Sequence, residues 1–184
     1  MLGKAGRLVL VVGPSGAGKD SVLRGAQSEL ANHPRYIFPR RLVTRKADVT
    51  AEDHDTLSDH EFHDGVARGS FMLHWQAHGL GYAIPGSVED AIAAGKVAAI
   101  NVSRNILHAA AARFPDLTIV EITADPELRI KRIEARGRED LSAVKTRALR
   151  GTAPFPGHVT TLRIENNGKL DEAVSQFVAI LRSL

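Results

Sequence analysis

Cysteine is absent from all 184 residues. That excludes disulfide staples, thiolate metal sites and a cysteine nucleophile, and it suits a reducing cytoplasm. Long apolar runs are missing as well. None approaches the ~20 residues that cross a bilayer. The first apolar run, from Leu8 to Val12, is short for a signal-peptide core and leads into a glycine-rich turn, so a cytoplasmic protein without membrane attachment is expected. Aromatic residues are scarce, at 5%, and the basic residues are scattered or in two short groups. Nucleic-acid surfaces instead combine massed cations with stacking rings. A net charge of +3, from 24 basic and 21 acidic residues, points to an enzyme handling an anionic small molecule, with no nucleic-acid partner. No repeat, low-complexity tract or linker divides the chain, and nothing in it marks an oligomeric state.

What is present is an ordinary globular composition, 43% apolar and 24% charged, at a length that suits one domain. Arg7-Leu8-Val9-Leu10-Val11-Val12 is short and rich in β-branched residues, as a strand buried on both faces must be. A helix is predicted at 20–31, with Val22, Leu23, Ala26 and Leu30 at helical spacing. Further strands are predicted at 96–102, 117–123 and 160–165, and helices at 87–94, 103–114, 126–135, 141–150 and 170–184. Strands alternating with helices predict an α/β fold, a mostly parallel sheet with helices on both faces. The stretch from Arg40 to Tyr82 is polar and weakly periodic, with one short helix at 59–68. It reads as an inserted substrate-facing lobe, set at about residues 40–85. Arg136-Gly137-Arg138-Glu139-Asp140 lies between two helical patterns and reads as a basic lid, at about 136–141.

Gly13-Pro14-Ser15-Gly16-Ala17-Gly18-Lys19 has the form G-x-x-x-x-G-K, directly after a strand and opening a helix. The glycines let the loop curl so that successive N–H groups point at phosphate oxygens. The helix N-terminus adds partial positive charge aimed at the same anion. Lys19 is placed to neutralise the β- and γ-phosphates of ATP. Asp20 stands where a metal-ligating Ser or Thr is expected, and Ser21 follows it. Asp20 is either a favourable first-turn anion or a group close to Mg2+, since a carboxylate beside ATP phosphates is repulsive unless a cation intervenes. Ser21 is the alternative source of a metal-facing hydroxyl.

His54, His60 and His63 lie among Asp53, Asp55, Asp59 and Asp64. The spacing of a helical zinc motif is lacking, so a solvated polar lobe is the reading. Trp75 is expected in the core. Tyr82 either donates its hydroxyl to an acceptor phosphate or packs.

Several segments resemble the guanylate-kinase-like branch of nucleoside monophosphate kinases, over nearly the whole chain. Gly13 to Lys19 looks like their P-loop. Val43-Thr44-Arg45 looks like the end of their phosphate-gripping Ser-x-Thr-Thr-Arg segment. Phe71-Met72-Leu73-His74-Trp75, with His78-Gly79-Leu80-Gly81-Tyr82, looks like their Phe-Leu-Glu-Trp/Tyr…His-Gly-x-Tyr-Tyr stretch. Arg132 to Arg138 matches their lid, and Asn166-Asn167 matches the end of their last strand. Three positions depart. His74 replaces the Glu that pairs with guanine, Asp48 replaces a second phosphate-binding Arg, and the acidic middle strand is reduced to Asn101. A pocket without the base-reading carboxylate has lost the groups that discriminate for guanine.

Lys19-Asp20-Ser21, Thr44-Arg45, Glu52-Asp53-His54, Leu57-Ser58-x-x-Glu61-Phe62, Trp75-x-Ala77-His78-Gly79-Leu80-x-Tyr82 and Asn101-Val102-Ser103-Arg104 resemble the ribose 1,5-bisphosphate phosphokinase family of bacterial phosphonate degradation. Its implied fold is the P-loop NTPase three-layer sandwich with an inserted lobe and a short lid. The implied activity is ATP-dependent conversion of ribose 1,5-bisphosphate to 5-phosphoribosyl 1-diphosphate. The resemblance implies ATP on residues 13–21 with Arg132, Arg138 and Asn166, and Mg2+ at Asp20 and Ser21. Lys19, Arg45 and Arg136 would be catalytic. The sugar bisphosphate would meet Arg41, Thr44, Arg45, His74 and Tyr82, with Arg104 on its second phosphate. His74 would read ribose hydroxyls or serve structurally. Two other readings are a nucleoside monophosphate kinase and a non-catalytic binding module of this fold, though such modules generally lack a working P-loop.

Overall fold

The computed structural model describes residues 5–45, 54–77, 79–135 and 154–184. In chain order its elements are β1 (Arg7–Val12), α1 (Lys19–Glu29), β2 (Tyr36–Ile37), β3 (Arg41–Val43), β4 (His54–Thr56), α2 (Asp59–Ala67), β5 (Phe71–Ala77), β6 (Leu80–Pro85), α3 (Ser87–Ala93), β7 (Val97–Asn101), α4 (Leu107–Arg113), β8 (Thr118–Thr123), α5 (Pro126–Glu134), β9 (Thr160–Glu165) and α6 (Leu170–Ser183). The predicted helix at 141–150, the lid at 136–141, and Asp48, Glu52, Asp53 and His78 lie outside the described residues.

The central sheet has the order β2-β7-β1-β8-β9, and every neighbouring pair is parallel. β1 is apolar from Leu8 to Val12 because each face carries its own core. Leu8, Leu10 and Val12 join Ile100, Ile119, Leu107 and Ala110 on one face. Val9 and Val11 join Val22, Ala26, Val120, Phe177 and Leu181 on the other, under α1 and α6. Burial of this kind stabilises a fold by about 25 cal/mol per Å² of apolar surface. The layered α/β architecture expected from the alternation of elements is the one observed. The predicted helix at 103–114 differs in detail. Ser103 Oγ accepts from Asn105 N–H, and a 3-10 turn over Arg104–Ile106 precedes α4.

A second sheet, β4-β3-β6-β5, occupies the stretch where only one helix was predicted. β3 and β4 are parallel, while β6 runs antiparallel to both β3 and β5. One face, with Leu42 and Ala83, packs on Phe62 of α2. The other face, with Trp75, joins the main core. α2 begins in a reciprocal cap. Ser58 Oγ accepts from Glu61 N–H, and the Glu61 carboxylate accepts from Ser58 N–H at 2.7 Å. That backbone bond, then the Ser58 hydroxyl, holds the Glu61 carboxyl below its ordinary range. Among the described residues no helix is long and apolar enough to cross a membrane.

Candidate active site

The chain leaves β1 into the loop of residues 13–18 and enters α1 at Lys19. Two glycines here have identifiable reasons. Gly16 (φ +79) lies against α5, where a Cβ would stand 2.6 Å from the Arg129 carbonyl oxygen. Gly18 (φ +88) lies against β9, where a Cβ would stand 2.5 Å from Asn166 Nδ2. Gly18 is also the N-cap of α1 and offers no side-chain acceptor. The first-turn N–H groups therefore have no side-chain cap, an arrangement that suits an anion. Lys19 Nζ donates to the carbonyls of Gly13 at 2.9 Å and Pro14 at 3.1 Å, which arches the side chain back over the loop. Ser15 is exposed at the loop tip, and Ala17 is buried beneath it.

The end of β9 clasps this loop. Asn166 is only 3% exposed, and its Nδ2 donates to the Ala17 carbonyl at 2.9 Å. Its N–H donates to Thr123, and its carbonyl accepts from Arg132 Nη2 at 3.0 Å. Asn167 Oδ1 accepts the N–H of Asp125, the N-cap of α5. Asn166 Oδ1 and Arg132 Nη1 are buried with no hydrogen-bond partner. Polar atoms buried this way suit a polar ligand on the loop. The structure thus brings Asn166 and Arg132 to residues 13–19. Replacing Asn166 with Ala orphans the Ala17 carbonyl and is expected to cost about 1–3 kcal/mol in urea unfolding. Asp should not restore that loss, because a carboxylate has no proton to donate to Ala17. Recovery with Asp would refute the clasp.

On the other side of α1 the site opens into a cleft. Asp20, in the first turn, accepts a 2.7 Å hydrogen bond at Oδ1 from Asn101 Nδ2 at the end of β7. Asp20, Arg24, Gln27, Arg40, Arg41 and Asn101 line the cleft, over an apolar floor of Leu23, Phe38, Pro39 and Ala99. Ser21 is half-buried beside Asp20. Asp20 and Arg41 therefore line the same cleft. Arg24, Gln27 and Arg40 were not singled out from the sequence. The i, i+4, i+7 spacing of Asp20, Arg24 and Gln27 carried that signal.

The remaining expected residues are distributed unevenly. Arg41 lies over the Tyr82 ring at 6.0 Å, and Tyr82 stacks on Trp75 at 5.3 Å and 7°. His74 projects from the opposite face of β5, edge-on to Phe62 at 6.4 Å, away from Tyr82. Thr44 Oγ1 accepts from Gly81 N–H at 2.9 Å, tying β3 to β6. Arg45 is exposed just after β3, where its carbonyl accepts from Thr56 Oγ1. Arg104 departs most from expectation. Its guanidinium is paired with Glu121, whose second oxygen accepts from Arg163 Nε at 3.1 Å, and it lies over the Phe155 ring at 4.3 Å. Glu121 shares a sheet face with Ile119, opposite the one that carries Asn101 and α1. Arg104 is thus committed to a buried carboxylate on the far side of the sheet from the cleft. Arg136 and Arg138 lie outside the described residues.

No protein-family model matches the chain. Curated relatives do. The chain is 48% identical over 179 residues to the ribose 1,5-bisphosphate phosphokinase PhnN of Methylobacterium radiotolerans, covering 97% of this chain and 98% of that protein. It is 43% identical over 178 residues to the protein of the same name from Acidiphilium cryptum, covering 97% and 93%. Among solved structures, guanylate kinase from Anaplasma phagocytophilum superposes with a TM-score of 0.70, covering 100% of this chain and 88% of that one. Identity there is 16%, so that likeness concerns the fold alone.

Proposed function

Because the chain belongs to the ribose 1,5-bisphosphate phosphokinase family, we propose that it transfers the γ-phosphoryl group of ATP to the 1-phosphate of ribose 1,5-bisphosphate. The products are 5-phosphoribosyl 1-diphosphate and ADP. One geometric observation carries the reading: the phosphate loop opens through Asp20 and Asn101 onto an arginine-lined cleft. Such a lining suits a small polyanion better than a neutral base.

The acceptor phosphate is already ionised, so the reaction needs no strong general base. A non-bridging oxygen of the 1-phosphate forms the new bond to the γ-phosphorus as the bond to the β–γ bridging oxygen breaks, and ADP leaves with that electron pair. Catalysis reduces to holding two polyanions in line and neutralising charge on the transferring group. Residues 13–18 and the first turn of α1 cradle the ATP phosphates, and Lys19 supplies positive charge to them. Arg132 and Asn166 support the nucleotide side. Arg41 and Arg45 grip the acceptor, with Thr44 and Tyr82 shaping the strands that carry them. Arg136 and Arg138 are assigned on sequence alone, as cations closing on the transferring group. Asp20 and Ser21 would hold Mg2+, which when bound screens the repulsion between donor and acceptor. The cysteine-free composition supports a cytoplasmic setting, and the family resemblance supports a place in phosphonate degradation.

An ADP-release assay tests the reading. With ribose 1,5-bisphosphate as acceptor, kcat/KM is expected to exceed that for GMP, AMP or dTMP by about 100-fold or more. GMP as the best acceptor would overturn it and restore the nucleotide-kinase reading.

A further inference from the structure

The proposed acceptor carries two phosphates, and the second requires a cation within reach of the first. The 1-phosphate must lie in line with the γ-phosphate, near the first turn of α1. Arg104, expected from the sequence to take the other phosphate, is bound to Glu121 on the opposite face of the sheet. A phosphate there would first have to displace a buried carboxylate. Arg129 and Arg132 belong to α5, on the β9 side of the loop.

Arg24 stands differently. Val22 and Ala26 turn one face of α1 into the core, while Asp20, Leu23, Arg24 and Gln27 turn another into the cleft. Arg24 follows Asp20 by one helical turn, about 6 Å along the axis, comparable to the breadth of a pentose ring. Its Nε donates weakly to the Asp20 carbonyl at 3.3 Å, and the side chain is exposed. Across the cleft, Arg40 is held by Asp55 at 3.0 Å, and Gln27 offers an amide donor one turn further along α1. Leu23, Phe38 and Pro39 lie between these polar groups as a surface for the carbon face of a sugar.

We propose that the cleft between α1 and the β2–β3 connection is the binding site for the acceptor's distal phosphate, with Arg24 as its principal ligand and Gln27 and Arg40 beside it. The proposal rests on the sugar-bisphosphate reading above and makes Arg24 a specificity-determining residue. It separates a bisphosphate from acceptors carrying one phosphate, because a planar guanidinium can grip a second phosphate bidentately. Arg104 becomes a structural residue.

The test compares ribose 1,5-bisphosphate with ribose 1-phosphate as acceptors for the wild-type chain, Arg24→Gln and Arg104→Gln. Arg24→Gln is expected to lower kcat/KM for the bisphosphate by about 10- to 100-fold, chiefly through KM. Its kcat/KM for ribose 1-phosphate and its KM for ATP should stay within about twofold of the wild type. Arg24→Lys should recover part of the loss. Arg104→Gln can destabilise the fold, so its readout is the ratio of the two acceptors, which partial unfolding does not move. That ratio should equal the wild-type ratio. Equal losses on both acceptors in Arg24→Gln, no loss at all, or a changed ratio in Arg104→Gln would each overturn the site. Wild-type inactivity toward the bisphosphate would instead overturn the proposed function, and the two failures are separately visible.

Discussion

Lys19→Met is expected to lower kcat by about 100- to 1,000-fold while the protein still folds. The ammonium is the only side-chain cation of the loop itself, and its bonds to the Gly13 and Pro14 carbonyls hold it over the proposed phosphate site. These carbonyls are partly exposed, so water replaces the lost bonds at a cost of about 1 kcal/mol or less. The transition state is affected far more. Charge moves onto the oxygens of the transferring group, and a fixed cation there is worth about 3–4 kcal/mol of barrier. Methionine keeps the length of the stem, so the change is one of charge rather than packing. Arginine should not rescue it, because a planar fork does not fit the position of a compact ammonium. Saturating kinetics with both substrates, together with a thermal melt, decide the matter. A kcat within fivefold of the wild type would refute phosphoryl transfer at this loop.

The parts of the fold that were legible are those whose burial is complete. β1, β7 and β8 are covered on both sides, so their residues read as mostly apolar runs, interrupted in β8 by Glu121. Their predicted limits fall within two residues of those observed. The second sheet was not legible for the opposite reason. β3 and β4 have three residues each, too few to establish a period, and His54-Asp55-Thr56 is polar throughout. β5 is long enough, but the register shifts between Phe71 and Leu73. Met72 and Leu73 are consequently both buried, and the alternation that marks a strand is lost. The cap of α2 was visible as Ser58-x-x-Glu61, and that helix was predicted.

For the candidate site, local grammar located the phosphate loop and distant pairing governed the rest. Arg104 after a strand looks like a ligand when read alone. Only the alignment of β8 beside β1, with Val12 opposite Glu121, puts an acid where it can claim that guanidinium. His74 and Tyr82 look equivalent within one motif. Pairing of Trp75 with Tyr82 and of His74 with Ala83 sends them to opposite faces of the sheet. Arg24 was overlooked because an arginine in the second turn of a helix resembles any solvated surface residue until the β2–β3 connection is placed opposite it.

The same dependence on pairing produces the second large expected effect. P-loop enzymes generally place a hydroxyl after the loop lysine and a carboxylate on a neighbouring strand, both toward the metal. Here the carboxylate is Asp20, after the lysine, and the neutral partner is Asn101, on the strand. Their side chains meet at 2.7 Å because Val11 stands opposite Asn101 in the parallel register. The pair still carries one negative charge, shifted from strand to helix. Asp20→Asn removes it and is expected to lower kcat/KM by about 100-fold or more. Mn2+ binding in the presence of ATP, followed by electron spin resonance, should weaken by about tenfold or more. Asn101→Asp creates two facing carboxylates, which repel unless a proton or cation intervenes, so this variant should require more acid or more metal. The exchange Asp20→Asn with Asn101→Asp returns the charge to one and keeps an amide donor for the remaining carboxylate. It should therefore recover much of both losses, with a coupling of about 1–3 kcal/mol between the two positions. Additive losses in the double variant would show that the residues act separately. Unchanged Mn2+ affinity in Asp20→Asn would make Asp20 a helix-start anion with no part in holding the metal.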